Sequence, residues 1–202
     1  MIEIKHLKKS FDRKVIFDDL NLKIDDGEFV VFSGVSGCGK TTLLNMIGSL
    51  EVYDSGEILV DGEEIKSRKA QQRYLREKVG FLFQNFALVE DKTVEENLLM
   101  IKKNNRSGIS MDDALEKVGL SDTKKSKVYT LSGGEQQRVA LARLMIKKCD
   151  LILCDEPTGS LDRFNGEKIM SILKEMNEEG KTIILVTHDE TYKKYGERMV
   201  EI

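Results

Sequence analysis

The stretch GVSGCGKT at residues 34–41 sets three glycines, a lysine and a threonine between two apolar runs. Gly34, Gly39, Lys40 and Thr41 stand at the spacing G-x-x-x-x-G-K-[S/T]. Glycines let a chain wrap until successive backbone N–H groups converge on one point. A helix starting there adds four unpaired N–H groups and the positive end of its dipole. The product is an anion cradle in which Lys40 reaches β- and γ-phosphates and the Thr41 hydroxyl ligates Mg²⁺. The bland alternative is a glycine-rich turn that precedes a lysine. The buried run before the stretch and the apolar helix after it favour the cradle.

A second run, LILCDEP at 151–157, ends in two carboxylates. Asp155 at a strand end can hold Mg²⁺ through water. Strand alternation turns Glu156 the other way, and Pro157 biases it toward extended backbone. That placement suits a base that orients an attacking water. Without the phosphate cradle, a lone acidic pair after a strand would read as a solvated loop. A third stretch, LSGGEQQRVALARL at 131–144, has Ser132 and Glu135 at capping-box spacing. A capped helix start leaves Gly133 and Gly134 unexplained, since each glycine in a first turn loses roughly 0.8–1 kcal/mol against alanine. Close approach of something from outside, as at a second phosphate-facing helix N-terminus, explains them, and both readings can hold together.

The elements that must position these groups are legible in outline. FVVF (29–32), LILC (151–154) and TIILVT (182–187) are short, continuous apolar runs, the pattern of strands buried on both faces of a parallel sheet. Helical stretches fall between them: GKTTLLNMIGSL, EQQRVALARLMIKK and GEKIMSILKEMNEEG, the last stopping at Gly180. Strands alternating with helices predict an α/β fold. IEIKHLKKSF, LNLKI and EILVDGEEI alternate apolar and polar residues around DDG and DG, which predicts antiparallel strands with turns. Residues 86–130 are polar and helical in pattern, with TVEENLLMIKKN and SMDDALEKVGL, the second opening with Ser110 and Asp113 at capping-box spacing.

Composition narrows the class. The chain has 202 residues, 40% apolar and 33% charged, which suits one soluble globular domain. A net charge of −3 argues against a general nucleic-acid binder. There is no apolar stretch near the length of a membrane span. The opening MIEIKHLKKSF lacks the apolar segment of a signal peptide, and Cys38, Cys149 and Cys154 lack metal-ligand spacing, so a reduced cytoplasmic protein is expected.

Taken together, the motifs resemble the ATP-binding cassette family, the nucleotide-binding subunits of transporters. The resemblance covers nearly the whole chain in the family's order: GVSGCGKT, Gln84 in VGFLFQNF, LSGGEQQR, LILCDE, SLD at 160–162, and His188 in LVTHD. It implies an α/β P-loop NTPase core with a parallel sheet, an N-terminal antiparallel β-subdomain and an inserted helical subdomain at about 86–148. It implies ATP and Mg²⁺ as cofactors. Nucleotide contacts would come from Gly34, Ser36, Gly37, Cys38, Gly39, Lys40, Thr41 and Thr42, with Gln84, and with Ser132, Gly133, Gly134 and Glu135. Thr41, Gln84 and Asp155 would hold the metal, and Gln84 would sense a membrane partner. Glu156 would be the general base, His188 would contact the γ-phosphate, and Lys40 would complete the catalytic set. Phe11 in KKSFDRK stands where the family usually carries an aromatic residue, often tyrosine, that stacks on adenine; phenylalanine keeps the π-face. Cys38 stands where serine is commoner.

The alternatives for single residues are structural. His188 could be a hydrogen-bonding residue after a strand, Phe11 a core side chain, His6 a surface residue, Cys149 and Cys154 core thiols, and Lys124, Lys125 and Lys127 a solvated face. LLNMIGSLEVYDSGEI and LREKVGFLFQNF are similar to the lipoprotein-release and macrolide-export group. The function implied is ATP hydrolysis driving a separate integral membrane permease, and the subgroup resemblance favours an exporter. Two ATP-binding subunits, identical or not, would sandwich two ATP molecules at the inner face of the cell membrane, with no nucleic acid. A regulatory domain that some relatives carry after the cassette is not expected. Long coiled coils of chromosome-maintenance ATPases and the paired cassettes of ribosome-acting relatives do not fit. An ATPase module of a signalling complex that controls a cell-wall enzyme without moving a substrate stays open.

Overall fold

The computed structural model describes residues 1–12 and 14–202. Two long alternating strands, β1 (Ile2–Phe11) and β2 (Lys14–Ile24), precede the short apolar strand β3 (Phe29–Ser33). Helix α1 (Lys40–Ile47), strands β4 (Ser55–Val60) and β5 (Glu63–Glu64), helix α2 (Arg68–Glu77) and strand β6 (Val79–Phe83) follow. Then come α3 (Val94–Leu99), α4 (Met111–Lys117), α5 (Gly133–Ile146) and β7 (Leu151–Asp155). Helix α6 (Arg163–Glu178), β8 (Thr182–Val186), the short α7 (Glu190–Lys193) and β9 (Arg198–Glu201) complete the chain.

The expected α/β architecture is present. Strands β6-β7-β8-β3-β9 form one parallel sheet in that order, and β2-β1-β4-β5 form a separate antiparallel sheet. The three continuous apolar runs are β3, β7 and β8, at and beside the sheet's centre. Because side chains alternate across a strand, a run that is apolar at every position serves two faces. Val30, Phe32, Leu153 and Ile184 pack with Leu43, Leu44 and Ile47 of α1 and with the antiparallel sheet. Val31, Ile152, Ile183 and Leu185 pack instead with α5 and α6, through residues such as Leu141 and Ile169. Helices α1 and α5 therefore lie on opposite faces of the parallel sheet.

Helix ends follow local chemistry. Asp162 caps the start of α6 by accepting from the Asn165 N–H at 3.0 Å. Its end is the expected one: Gly180 at φ +94 lets the Gly180 N–H reach Asn177 C=O at 2.8 Å and the Lys181 N–H reach Met176 C=O at 3.1 Å. Elsewhere the fold departs from expectation. TVEENLLMIKKN is α-helical only as far as Leu99, and a single 3-10 turn at Lys103–Asn105 follows, because KKN is exposed and has no apolar face to bury. Ser110 accepts from the Asp113 N–H, but the Asp113 carboxylate takes the Ser110 hydroxyl at 2.6 Å, so only half a capping box forms; the box calls for the longer Glu or Gln. Helix α2 and strands β6 and β9 are absent from the periodicity reading: α2 is polar, β9 has only four residues, and Gly80 interrupts the apolar run of β6.

Candidate active site

Parallel strands end at one edge, and ligands of open α/β sheets bind beyond their carboxyl ends. Here Phe83, Asp155, Val186 and Phe32 form one register row across β6, β7, β8 and β3. The residues that follow this row are Gln84, Glu156, Thr187 and Ser33, and one step on lie His188 and Gly34. Residues far apart in sequence reach one edge because the register aligns them.

The GVSGCGKT loop leads into α1 without closing off its donors. The N-cap is Gly39 at φ +113, with no side-chain cap and no acidic residue in the first turn. The first intrahelical bond is Leu43 N–H to Gly39 C=O at 2.8 Å, so the N–H groups of Lys40, Thr41 and Thr42 precede the ladder. Lys40 is 5% exposed, and its ammonium donates to Gly34 C=O at 2.8 Å and Val35 C=O at 2.9 Å. Those bonds hold the charge inside the loop. The Cys38 Sγ lies 3.6 Å from the same nitrogen. Ser36 and Gly37 are exposed at the loop's tip. Strand β2 braces the loop from outside: Lys14 Nζ donates to Gly37 C=O at 3.1 Å, and a side chain at 39 would strike Ile16 and Phe17.

The Thr41 hydroxyl donates to Asp155 Oδ1 at 2.9 Å, joining α1 to β7. Burial pushes the Asp155 carboxyl above its ordinary value, against the Thr41 bond and the charges of His188 and Lys40. Glu156 is not extended, as the following proline suggests; it sits at φ +47. Its N–H donates to Val186 C=O at 2.9 Å, and its Oε2 accepts from the His188 N–H at 3.2 Å. These two tethers to β8 and the loop after it override the local preference, at the cost of a left-handed backbone. Burial raises the Glu156 carboxyl above its ordinary value, partly offset by the His188 N–H. The His188 ring nitrogen Nε2 lies 3.3 Å from Oε1 without hydrogen-bond geometry, and Oε1 is a buried oxygen with no partner.

Other expected site residues are placed less directly. Gln84 directly follows Phe83 and is exposed; its amide lies against Gly159, in the turn after Pro157, rather than against Thr41 or Asp155. Phe11 is 44% exposed at the end of β1. His6 is exposed and pairs with Asp19, and Cys149 and Cys154 are buried. At α5 the capping box is complete: Ser132 accepts from the Glu135 N–H, and Glu135 Oε2 accepts from the Ser132 N–H at 2.8 Å. Gly134 has a reason within the chain, because a Cβ there would stand 3.2 Å from the Asn165 amide of α6. Gly133 has only an ordinary contact, with Phe86. Gln137, to which the motif reading assigns no role, is fully buried and donates to Pro157 C=O at 2.7 Å. It ties α5 to the turn that carries Glu156, a link no sequence period could reveal.

The donor set suits Mg²⁺ held jointly with phosphates. Thr41 and Asp155 supply hard oxygens, and a single carboxylate cannot make a cage on its own. Among the described residues no group of three or more His, Cys, Asp or Glu side chains could hold a metal unaided. The unpartnered, buried Glu156 Oε1 fits an incoming water as donor.

The ABC transporter family profile matches residues 17–159. The uncharacterized ABC transporter ATP-binding protein MJ1508 of Methanocaldococcus jannaschii is 39% identical over 100% of this chain and 95% of its own length. The macrolide export ATP-binding/permease protein MacB of Aggregatibacter actinomycetemcomitans is 41% identical over all of this chain, which spans only 33% of MacB. The phosphonates import ATP-binding protein PhnC of Lactobacillus acidophilus is 39% identical, with 100% of this chain and 85% of PhnC covered. Among solved structures, the dimeric post-hydrolysis ATP-binding cassette MJ0796 bound to ADP and Pi superposes with TM-score 0.87 at 35% identity, covering 100% of this chain and 94% of that one.

Proposed function

The chain belongs to the ABC transporter family, and from that premise we propose that it is an ATPase subunit that works as a two-chain ATP sandwich on a separate membrane permease. One observation carries the reading. At one edge of the parallel sheet, the uncapped start of α1 with Lys40 meets Asp155 and a buried Glu156 whose Oε1 has no partner.

The residues divide the work of phosphoryl transfer to water, which is chiefly positioning and charge stabilisation. Lys40 and the first N–H groups of α1 bind the β- and γ-phosphates. Thr41 and Asp155, joined by Gln84 if its amide turns from Gly159, would hold Mg²⁺, which when bound neutralises phosphate charge. Glu156 takes the proton of the attacking water; its buried carboxylate holds a proton more tightly than a free one. His188 steadies that carboxylate through its main-chain N–H, and its ring, now 3.3 Å from Glu156 Oε1, would contact the γ-phosphate when ATP is bound. Phe11 offers the base a π-face.

The start of α5 serves the other chain's ATP. Within one chain α1 and α5 lie on opposite sheet faces, so one nucleotide suits both only if the second terminus comes from a partner. The dimeric state of MJ0796 supports this arrangement. The permease lies outside this chain: MacB combines ATP-binding and permease parts, and this chain spans only 33% of its length. Among the described residues no helix is long and apolar enough to cross a membrane, and the reading places the subunit on the membrane's inner face, bound to its permease. Export follows the likeness to MacB; in inside-out vesicles whose ATP-binding subunits face the bath, ATP-driven accumulation of substrate in the lumen would mark export, and ATP-driven release of preloaded substrate would mark import of the PhnC kind.

A mixing experiment tests the sandwich. With Glu156→Gln in every chain to trap ATP, one variant also carries Lys40→Ala and the other Gly134→Asp. Each alone makes dimers with two broken sites. A mixed dimer has one intact site, so mixing restores retention of labelled ATP to at most one per dimer. No recovery, with mixed dimers shown to form, would overturn the arrangement.

A further inference from the structure

We propose that Lys9 is a positioning residue for the nucleotide base: it fixes the Phe11 ring and covers one of its faces, leaving the other for adenine. The inference rests on the reading of Phe11 as the base platform.

Lysine at 4% exposure is unusual, and this one is held from three sides. Its ammonium donates to Glu51 Oε1 at 2.8 Å and to Val52 C=O at 2.9 Å, and stands 4.3 Å from the centroid of the Phe11 ring. An ammonium has three donors. Two are committed to the loop after α1, and the remaining side of the charge meets the ring's negative π-face. Phe11 ends β1 beside Asp12 at φ +50, and 44% of its surface is open, so little else restrains it. The opposite brace is Lys14, the register partner of Phe11, whose ammonium holds the P-loop at Gly37. The platform thus stands between a lysine tied to the end of the α1 region and a lysine tied to its beginning. A cation behind a ring also draws π-density away from its far face, which eases stacking of an electron-rich purine.

The backbone does not depend on Lys9. Asp54 clamps the same stretch on both sides, its N–H donating to Lys8 C=O at 2.9 Å and its carboxylate accepting from the Ser10 N–H at 2.7 Å. Lys9→Met, which keeps the stem and removes the charge, is therefore the first variant. Calorimetric titration without Mg²⁺ compares ATP with inorganic tripolyphosphate, which has no base. Lys9→Met is expected to weaken ATP about 3- to 10-fold and to leave tripolyphosphate within about twofold. Lys9→Arg should restore ATP binding, and Lys9→Met should add nothing once Phe11→Ala is present. Glu51→Gln, which loosens one tether while keeping the lysine, should shift ATP alone in the same direction and carries the test if Lys9→Met does not fold. Equal loss for ATP and tripolyphosphate would make Lys9 a structural residue and overturn the inference. So would loss with Phe11→Ala but none with Lys9→Met. No loss of ATP binding with Phe11→Ala would instead remove the platform reading itself.

Discussion

Two helices in this molecule begin at glycines, and they begin in opposite ways. At α1 the N-cap is a left-handed glycine, no side chain serves the first donors, and no acid stands in the first turn. At α5 the serine and Glu135 close a full capping box, and the carboxylate sits on the helix's positive end. The Ser132 hydroxyl and N–H hold the Glu135 carboxyl below its ordinary value, so it stays charged. The first terminus is left open for an anion and supplied with a lysine. The second is already satisfied by its own side chains, and an approaching phosphate must compete with a carboxylate. On the proposed sandwich, this contrast means that ATP would be captured at α1 and its site completed at α5 only when a second chain brings that terminus to it.

The largest effect isolates binding from turnover. Glu156→Gln leaves both termini intact and is expected to slow hydrolysis about 10²–10⁴-fold, measured as phosphate release. The same variant should melt higher than the wild type at pH 7. Burial raises the Glu156 carboxyl, so its stability cost grows as pH climbs from the ordinary value of 4.5 through the raised one and stands in full above it. Glutamine has no such cost, and the difference in melting temperature should vanish as pH falls below 4.5. Equal melting at both ends of that range would break the burial argument.

A smaller effect sets the termini against each other. Lys40→Ala should weaken ATP binding to the isolated chain about 100-fold, as loss of a charge-assisted phosphate contact does. Gly134→Asp should leave it within about threefold, because on the proposed sandwich the α5 terminus takes no part until a partner arrives. Equilibrium binding below the dimerisation concentration reads both, and equal losses would erase the distinction.

The smallest concerns the cap itself. Ser132→Ala should cost about 1 kcal/mol in denaturant unfolding. Glu135→Gln should cost less, and only above the acid range. A carboxylate whose folded value is depressed stabilises above its unfolded value of 4.5 and loses that contribution as pH falls through the folded one. A pH-independent difference would show that Glu135 acts by packing rather than charge.

Motifs with a fixed backbone purpose are readable from the chain alone. GVSGCGKT is legible because few residue types let consecutive N–H groups converge, and LILCDEP because a doubly buried strand has no polar positions until it ends. Gly180 is legible because few residues stop a helix in a left-handed turn. Gln84 is recognised through resemblance, yet where its amide lies depends on the turn at Gly159. Glu156 shows the limit most plainly. Its identity and strand-end place are in the sequence, whereas its left-handed backbone comes from bonds to Val186 and His188, 30 residues and more away.

Local composition therefore determined the central strands, the phosphate loop, the Ser132 cap and the order of the motifs, since each depends on the conformational preferences of neighbouring residues. The rest was decided by packing. Parallel register brought Gln84, Asp155, Glu156, His188 and the loop at Gly34 to one edge. Alternation across that sheet sent α1 and α5 to opposite faces. Burial of Lys9 behind Phe11 and of Gln137 against Pro157 joined segments that share no sequence period. Such contacts depend on which surfaces meet after the sheet closes, and a side chain's charge or hydrogen-bond partner is chosen only then.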